Sequence, residues 1–471
     1  MTHRRLHAPP ELDFASIRDE VGVVVPFDDD VLAAAADAAR ADRLGGERAD
    51  RTDLALVTID PAGSTDLDQA VAVERRGDGW RVRYAIADVA AWVEPGGVLD
   101  AAAKARTQTY YSPDRRAPLH PPVLGEAAAS LLPDGPRPAL LWTIDVAGDG
   151  TTADVAVERA VVRSRAQLSY DEVQRGIDAG DAPGPVAELP RLGEALLADA
   201  RRRGAIELGL PEQDVVADGD GSWTVARRAD LPVERWNAQV SLLTGRAAAW
   251  LMLEGGVGVL RTLPAPDPTT FPRLAQAAHS LGVRWDDGEH PGVVLARLDV
   301  ARPAHAAFAD LAAELLRGAA YTTFRGRPPV DPGHAGVGAP YAHVTAPLRR
   351  LVDRFASETC LALLGGAPPP GWVDEALDQL PELMAEGDRR GRALERAVVD
   401  ATEAFVLADR VGHVFAASVL ETGPTAGTVV LEHPPVRARC DAPHLPLGRG
   451  VHVRCTEADV ARRRVRFERV S

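Results

Sequence analysis

Residues 58–71 read TIDPAGSTDLDQAV, and this is the most informative segment of the chain. An apolar strand, LALVTI, ends at Asp60, a turn with Pro and Gly follows, and Asp66 and Asp68 lead into a second strand. A strand–loop–strand layout can bring three carboxylates to one point, and hard cations such as Mg²⁺ prefer oxygen ligands. The spacing therefore indicates a divalent metal site, although aspartates beside Pro and Gly more often only cap turns.

The residues that follow this stretch alternate between hairpins and helices. The strands AVAVERR and WRVRYAI flank Gly77-Asp78-Gly79, which is a good hairpin turn. Further hairpins are predicted over 140–162 and 212–228, and helices over 170–179, 190–204 and 237–253. This mixture predicts an α+β domain, which we place at residues 51–408 and which is larger than most domains.

Both ends of the chain have a different pattern. Residues 1–50 are predicted to be helical, with a short helix in LDFASIRDEVG and a second one capped by Asp28 to Asp30. A long helical stretch runs from Trp372 to about Asp409. Five short strands separated by turns then fill residues 409–471, which predicts a small closed barrel of the OB type.

The composition limits the classes of function. The chain of 471 residues has a net charge of -15 and a pI of about 5.3, which argues against a surface coated with basic residues for nucleic acid. A nuclease is not excluded, because a buried positive channel can coexist with an acidic exterior. Lys104 is the only lysine, so arginine supplies nearly all the positive charge, and its planar fork suits phosphate.

Three cysteines bear on where the protein works. Cys360, Cys440 and Cys455 are far apart and odd in number, and they form neither a zinc spacing nor a disulfide framework. The first residues, MTHRRLHAPPELDF, contain no apolar signal core, and no run is long enough to span a membrane. We expect a cytoplasmic protein that is monomeric and has no membrane partner.

Several blocks of the sequence resemble the ribonuclease II/R (RNB) family. That family has an Asp, five residues, an Asp, one residue and then two Asp, and Asp60, Asp66 and Asp68 match the first three. The matching blocks continue in order over residues 53 to about 355: YAIADVAAWVEPGGVLDAAAKAR, TYYSPDRRAPLHPPVLGEAAASLLPDGPRPAL, RAQLSYDEVQ, RRRGAIELGLPEQ and YAHVTAPLRRLVD. The terminal barrel also lies where the family carries an RNA-binding OB domain.

The resemblance implies an activity and a set of roles. Members of the family hydrolyse single-stranded RNA from the 3′ end and release nucleoside 5′-monophosphates, with Mg²⁺ as the expected ion and Mn²⁺ as the other candidate. By the resemblance, Asp60 and Asp66 hold the metal and Asp68 serves the chemical step. Tyr111 is similar to an aromatic residue that stacks on a base near the 3′ end and sets the final product size. Arg349 corresponds to the arginine that neutralises the scissile phosphate.

Some positions depart from the family pattern. The fourth acidic position is Gln69, whose amide oxygen can ligate a cation but carries no charge. Ala346 and Leu351 replace a hydroxyl residue and an aromatic residue in the later motif, and residues 1–50 are too few for paired cold-shock barrels. Two alternatives therefore stay open: a non-catalytic RNA-binding protein with a decayed metal site, and a metal-dependent phosphoesterase that acts on small nucleotides. His120, His334 and His343 lack metal-ligand spacing and are expected to be structural.

Overall fold

A computed structural model describes residues 12–208, 212–217, 222–228 and 230–470. Residues 1–11 of the predicted helical segment and the turn of the hairpin over 212–228 lie outside the described residues. The α-helices are α1 Phe14–Glu20, α2 Asp29–Arg40, α3 Val98–Arg106, α4 Tyr170–Asp178, α5 Leu189–Arg202, α6 Pro232–Gly255, α7 Thr270–Leu281, α8 Pro291–Leu295, α9 Pro303–Ala312, α10 Leu351–Leu364, α11 Gly371–Leu377 and α12 Leu380–Leu407.

The strands are shorter and more numerous than the helices. They are β1 Ala49–Asp50, β2 Leu56–Asp60, β3 Gln69–Arg76, β4 Gly79–Ala87, β5 Tyr110–Ser112, β6 Arg115–Ala117, β7 Arg137–Val146, β8 Thr152–Val162, β9 Ser164–Ser169, β10 Glu212–Ala217, β11 Trp223–Arg228, β12 Val257–Thr262, β13 Ala320–Arg325, β14 Gly333–His334, β15 Ala339–Pro340, β16 Val414–Glu421, β17 Gly427–Leu431, β18 Arg437–Cys440, β19 Gly450–Asp459 and β20 Arg464–Val470.

A seven-stranded sheet in the order β1-β8-β7-β4-β3-β2-β9 carries residues 58–71, which form the end of β2, a loop and the start of β3. β1 pairs with β8 and β2 with β9 in parallel, and the other neighbours are antiparallel. The β3–β4 turn needs glycine at Gly79, because a Cβ there would lie 2.0 Å from the carbonyl oxygen of Val146. The predicted strand–loop–strand layout around the aspartates is therefore present.

Both faces of this sheet are buried. Tyr84 and Trp142 point to one face, where they join a core with residues of α6 such as Leu243. Their neighbours Ala85 and Leu141 point to the other face and pack toward α2. Alternate residues of a strand face opposite sides, so the strands in the middle of the sheet are apolar almost throughout. The mixture of helices and sheets confirms the predicted α+β class.

The C-terminal five strands close into a barrel in the order β16-β17-β18-β20-β19. Their bounds agree with the five predicted strands to within a few residues, and the closed barrel confirms the OB-type prediction. The barrel core also includes Ala404 and Leu407 of the preceding helix α12. Arg437 of β18 forms an ion pair with Asp310 of α9, so the barrel is attached to the larger domain at a second place.

The helical predictions at the two ends of the larger domain are confirmed with one refinement. The stretch from Trp372 is divided into α11 and α12 by a break at Asp378 and Gln379. The helices α1 and α2 contribute to cores of the larger domain, Phe14 with residues of α12 and Val31 with the sheet. Within the described residues, no helix is both long enough and apolar enough to cross a membrane.

Candidate active site

The loop of residues 61–68 is held in place by the segment that precedes β7. The amide of Leu67 donates to the hydroxyl of Ser130 (2.9 Å), and that hydroxyl donates to the carbonyl of Thr65 (2.7 Å). The amide of Leu131 donates to the carbonyl of Leu67 (3.0 Å), and Arg137 donates to the carbonyl of Ser130 (3.1 Å). The loop conformation, and with it the direction of each aspartate, is therefore fixed by backbone contacts.

Asp68 is the most buried of the three aspartates, with 3% of its surface exposed. Its Oδ1 accepts a hydrogen bond from the amide of Leu348 (2.7 Å), and its Oδ2 lies 3.3 Å from Nε of Arg349. The side chain of Arg349 is 48% exposed, so it retains donors that face the solvent. The neighbouring Arg350 differs, because Asp353 binds it through two hydrogen bonds of 2.9 Å. Arg349 is therefore the arginine that is available to a phosphate.

Asp66 points toward the hairpin formed by β5 and β6. Its Oδ1 accepts a hydrogen bond from Nη1 of Arg116 (2.6 Å), and its Oδ2 lies 3.5 Å from the hydroxyl of Tyr111. Arg116 also contacts Glu126, with 2.8 Å between Nη2 and Oε2. Tyr111 is 54% exposed, which leaves much of its ring available. The hairpin thus brings an aromatic ring and a cation to the same carboxylate.

Gln69 joins the two segments that carry the acids and the arginine. Its Oε1 accepts a hydrogen bond from the hydroxyl of Tyr84 (2.9 Å), and its Nε2 donates to the carbonyl of Thr345. Because a carbonyl only accepts, the amide nitrogen must face Thr345, which fixes the orientation of the amide. One lone pair of Oε1 remains for a further contact.

Burial changes the acidity of two carboxyls. Burial raises the pKa of Asp68 to about 8, although Arg349 and the amide of Leu348 oppose the increase. Burial also raises the pKa of Asp60 to about 6; the charge of Arg349 opposes this, and the charge of Asp66 adds to it. The charged groups of the protein therefore do not fully offset the burial of either carboxyl, and a bound cation would favour their ionised forms.

The donor atoms at this centre suit a hard divalent cation. Asp60, Asp66 and Asp68 supply only oxygen, and Mg²⁺ takes few protein ligands while keeping water or phosphate. In the described residues, no group of three or more His, Cys, Asp or Glu side chains is already arranged around one point. Asp66 faces Arg116 and Asp68 faces Arg349 instead, so metal binding requires these carboxylates to exchange or share their contacts.

The raised pKa values predict a pH-dependent effect of metal on stability. A carboxyl whose pKa is higher in the folded state than in the unfolded chain contributes stability at low pH, and this contribution is lost as the pH rises through the folded pKa. For Asp60 and Asp68 the loss extends from about pH 4 to about pH 8. We expect Mg²⁺ to raise the melting temperature more at about pH 8 than at about pH 5, as measured by thermal unfolding against an EDTA control. The Asp68→Asn variant should lose much of this difference, and an equal Mg²⁺ effect at both pH values would contradict the prediction.

A cavity of about 1060 Å³ opens beside the hairpin of β5 and β6, which carries Tyr111. It is lined by Tyr111 and by residues of β10, β12 and α12, among them Arg261 and Arg392. Asp388 and Glu395 also line it, so the wall carries both positive and negative charges. The cavity is large enough for more than one nucleotide, since drug-sized ligands occupy about 300–1000 Å³.

The structure places the residues predicted from sequence on neighbouring segments, although within the described residues no three of the carboxylates are arranged around one point. Asp60, Asp66, Asp68 and Gln69 lie on one strand–loop–strand unit, and Tyr111 and Arg349 reach it from later segments. Burial lowers the pKa of His120 and His334 to about 4, and it also lowers that of His343, whose Nδ1 lies 2.7 Å from the hydroxyl of Tyr321. Of the three, only His120 is fully buried, and the structural role of these histidines stays a prediction.

Sequence reasoning missed Arg116 as a member of this site. Arg116 stands in the run DRRAP, where it looks like any arginine on a solvated turn. The only local signal is its position five residues after Tyr111, on the returning strand of the same hairpin. Its partner, Asp66, is fifty residues away in sequence.

The seven-stranded sheet with an acidic loop, an arginine opposite it and a terminal five-stranded barrel together define the architecture of an RNB-type protein. The RNB domain model matches residues 48–364, and the model of the RNase II-type exonuclease C-terminal S1 domain matches residues 413–470. The first match covers more than half of the chain, and the protein belongs to the RNB family.

Curated relatives agree with this assignment. The chain is 29% identical over 397 residues to exoribonuclease 2 of Enterobacter sp. (strain 638), which covers 80% of this chain and 60% of that protein. It is also 29% identical over 395 residues to exoribonuclease 2 of Cronobacter sakazakii, with 79% and 59% of the two chains covered. The chain therefore spans about 60% of the length of the relatives that it matches.

Solved structures show the same fold. RNase R of Mycoplasma genitalium, in complex with ribose-methylated single-stranded RNA, superposes with a TM-score of 0.86 at 19% identity, over 97% of this chain and 77% of that chain. Yeast Ssd1, described as a pseudonuclease, superposes with a TM-score of 0.69 at 16% identity, over 93% and 53% of the two chains. The fold alone therefore occurs both in a ribonuclease and in a pseudonuclease.

Proposed function

We propose that the protein is a 3′-to-5′ exoribonuclease that hydrolyses single-stranded RNA to nucleoside 5′-monophosphates by a two-metal-type mechanism. The observation that carries the proposal is the juxtaposition of Asp68 and Arg349, 3.3 Å apart. On the same loop, Asp66 lies 3.5 Å from the hydroxyl of Tyr111, which lines a cavity. Membership of the RNB family and the similarity to exoribonuclease 2 support it.

Each residue has a distinct part in this proposal. Asp60, Asp66 and the free lone pair of Gln69 would hold Mg²⁺, or Mn²⁺ in its place, and Asp68 would contribute to the same site. Asp68 also orients the attacking water, for which its fixed position between Leu348 and Arg349 is suited. Arg349 donates to the scissile phosphate, where negative charge increases during the reaction. Bound metal would supply a nucleophile at neutral pH and neutralise charge on the attacking and the leaving oxygen.

The remaining contacts would hold the RNA chain. Tyr111 offers an exposed ring on which a base near the 3′ end stacks, and stacking tolerates any base because every base has a π-face. The C-terminal barrel and the arginines of the cavity, such as Arg392, would contact phosphates farther along the strand. We propose a monomer that acts on single-stranded RNA in the cytoplasm without a membrane partner.

The direct test uses 5′-labelled single-stranded RNA and purified protein, with and without chelator. We expect a ladder that shortens from the 3′ end only when Mg²⁺ is free, together with release of nucleoside 5′-monophosphates. Internal cleavage, or products that appear equally in excess EDTA, would contradict the proposal. Comparison of Mg²⁺ with Mn²⁺ at matched concentrations identifies the preferred ion.

A non-catalytic RNA-binding protein is the second candidate. Two observations favour it: Gln69 brings no charge to the centre, and Arg116 already occupies Asp66. RNA binding in a gel-shift assay without any metal-dependent product would support this alternative. The phosphoesterase alternative predicts instead that dinucleotides are turned over as well as a strand of about 20 nucleotides. If RNA is the substrate, the longer strand should bind far better, because it makes more phosphate contacts.

The Gln69→Glu substitution tests the role of this amide. A carboxylate of the same shape cannot donate to the carbonyl of Thr345, so two acceptors would face each other at a cost of about 1–3 kcal/mol. The added charge should nevertheless strengthen metal binding. We expect a lower melting temperature without metal and a lower Mg²⁺ concentration for half-maximal stabilisation. An unchanged metal requirement would argue that residue 69 does not contact the ion.

A further inference from the structure

The hairpin that presents Tyr111 is too small to hold its own position. β5 and β6 have three residues each, and an isolated two-stranded hairpin of this size is not stable in water. Tyr111 and Arg116 are directly opposite each other, so their side chains share the face that looks toward Asp66. The place of the Tyr111 ring therefore depends on what anchors the two ends of this hairpin.

The base of the hairpin is anchored to the segment that carries Arg349. The amide of Thr109 donates to the carbonyl of Arg349 (3.0 Å), and the amide of Leu351 donates to the carbonyl of Thr107 (2.9 Å). These backbone contacts tie the start of β5 to the segment whose Arg349 side chain lies beside Asp68. They leave the turn at the other end of the hairpin to be fixed by other contacts.

The turn is held by Arg18 of the N-terminal helix α1. Nη1 of Arg18 donates to the hydroxyl of Ser112 (2.6 Å) and to Oδ1 of Asp114 (2.5 Å), and Nη2 donates to Oδ2 of Asp114 (3.0 Å). Arg18 is only 5% exposed, so this fork is a buried contact and is weakly screened by salt. A bidentate arginine–carboxylate pair also fixes the geometry of its partner.

The helix α1 is itself firmly seated. Phe14 and Ile17 share a core with Tyr110 on the back of the hairpin and with Val398 of α12. The ring of Phe14 also packs edge-on against Trp223, with 5.4 Å between centroids. Glu20, at the other end of α1, forms an ion pair with Arg463 of the barrel. The packing of Phe14 and Ile17 therefore makes α1 a fixed support from which Arg18 reaches the turn, and the exposed Glu20 pair contributes little to it.

We propose that Arg18 is a positioning residue that sets where Tyr111 stacks on the RNA, and thereby the length of the shortest product. This inference rests on the proposed exoribonuclease function. When the fork is lost, the turn moves away from its place, and stacking at Tyr111 weakens. Stacking of one base is worth roughly a factor of ten in binding, so short RNAs, which have few other contacts, dissociate before the last cleavage steps.

The test compares variants that remove the fork with one that removes another ion pair of the same helix. Arg18→Gln and Asp114→Asn each break the fork, and the carboxylate of Asp114 is partly exposed, so the second variant folds even if the first does not. Glu20→Gln is the matched control, because it breaks the contact of α1 with the barrel and leaves the hairpin untouched. Thermal unfolding establishes that each variant is folded.

Two measurements are made on each variant. The first is the length of the final product from 5′-labelled RNA, together with the ratio of the rates on short and long strands. The second is made in EDTA: 2-aminopurine is placed at each of the last few positions of the RNA, and its quenching reports stacking without turnover. The Tyr111→Leu variant gives the 2-aminopurine quenching that remains when the stacking ring is absent.

We expect the fork variants to lengthen the final product by at least one nucleotide, to lower the short-to-long rate ratio and to reduce quenching toward that of Tyr111→Leu. Glu20→Gln should match the wild type in all three. Wild-type product length and quenching in a folded Asp114→Asn variant would overturn the role of Arg18. If the wild type itself gives neither a ladder nor quenching, the exoribonuclease proposal fails instead.

Discussion

Replacing Asp68 with asparagine is expected to reduce the turnover of RNA by on the order of 10³-fold, which is typical for loss of one critical group from a reaction centre. Asparagine keeps the shape of the side chain and can still accept the hydrogen bond from the amide of Leu348. It loses the negative charge that faces Arg349 and that a metal ion would require. Single-turnover rates in saturating Mg²⁺ measure the effect.

Binding of RNA by this variant should remain largely intact. Most contacts with a strand are made to phosphates and bases away from the scissile bond, so a gel-shift assay in EDTA should give an affinity close to that of the wild type. Asp145→Asn is the matched control, because Asp145 is a partly buried, ion-paired aspartate of the same sheet that binds Arg81. Normal turnover in Asp68→Asn would remove Asp68 from the mechanism.

The second large effect is expected for Arg349→Gln. A guanidinium next to a phosphate that gains negative charge is worth about 3 kcal/mol in the transition state, so kcat should decrease by roughly a hundredfold. Arg349→Lys keeps the charge but loses the planar fork, and it should recover only part of the rate. The substitution also leaves Asp68 without its ion-pair partner, which should shift the pKa of Asp68 further upward.

An arginine of the neighbouring cavity, Arg392, serves to separate an effect on chemistry from an effect on binding. Arg392 of α12 has a side chain that is 61% exposed, and it lines the cavity away from the carboxylates. Arg392→Gln should weaken RNA binding and reduce its dependence on salt, with a much smaller effect on kcat. If Arg349→Gln and Arg392→Gln change the same parameter by the same amount, Arg349 has no special place in the reaction.

Local patterns in the sequence were sufficient for much of the fold. The hairpin around Gly77, the helices α4, α5 and α6 and the five barrel strands all depend on periodicity and turn residues that lie close together in the chain. The order of strands in the main sheet was not predictable in this way. β9 lies beside β2, and β1 beside β8, in parallel pairs whose partners are about 100 residues apart.

The residues of the site also divide into those that local sequence patterns predict and those that depend on distant parts of the chain. The aspartates at 60, 66 and 68 stand within one short motif, so their place on one strand–loop–strand unit follows from the sequence. Tyr111 and Arg349 were placed there by the resemblance to the RNB family, and the structure brings both to the carboxylates. Arg18 and Arg116 were not foreseen, because an arginine in a helix or turn gives no local sign of which distant carboxylate it binds.

The last turn of α12 completes the interior of the terminal barrel through Ala404 and Leu407. Because residues of α12 form part of its core, the barrel cannot rotate independently of that helix. The orientation of the barrel relative to the acidic centre is therefore set when the chain folds. If the protein binds RNA as proposed, the relative orientation of the two modules is already fixed, so binding would not include an entropy cost for aligning them.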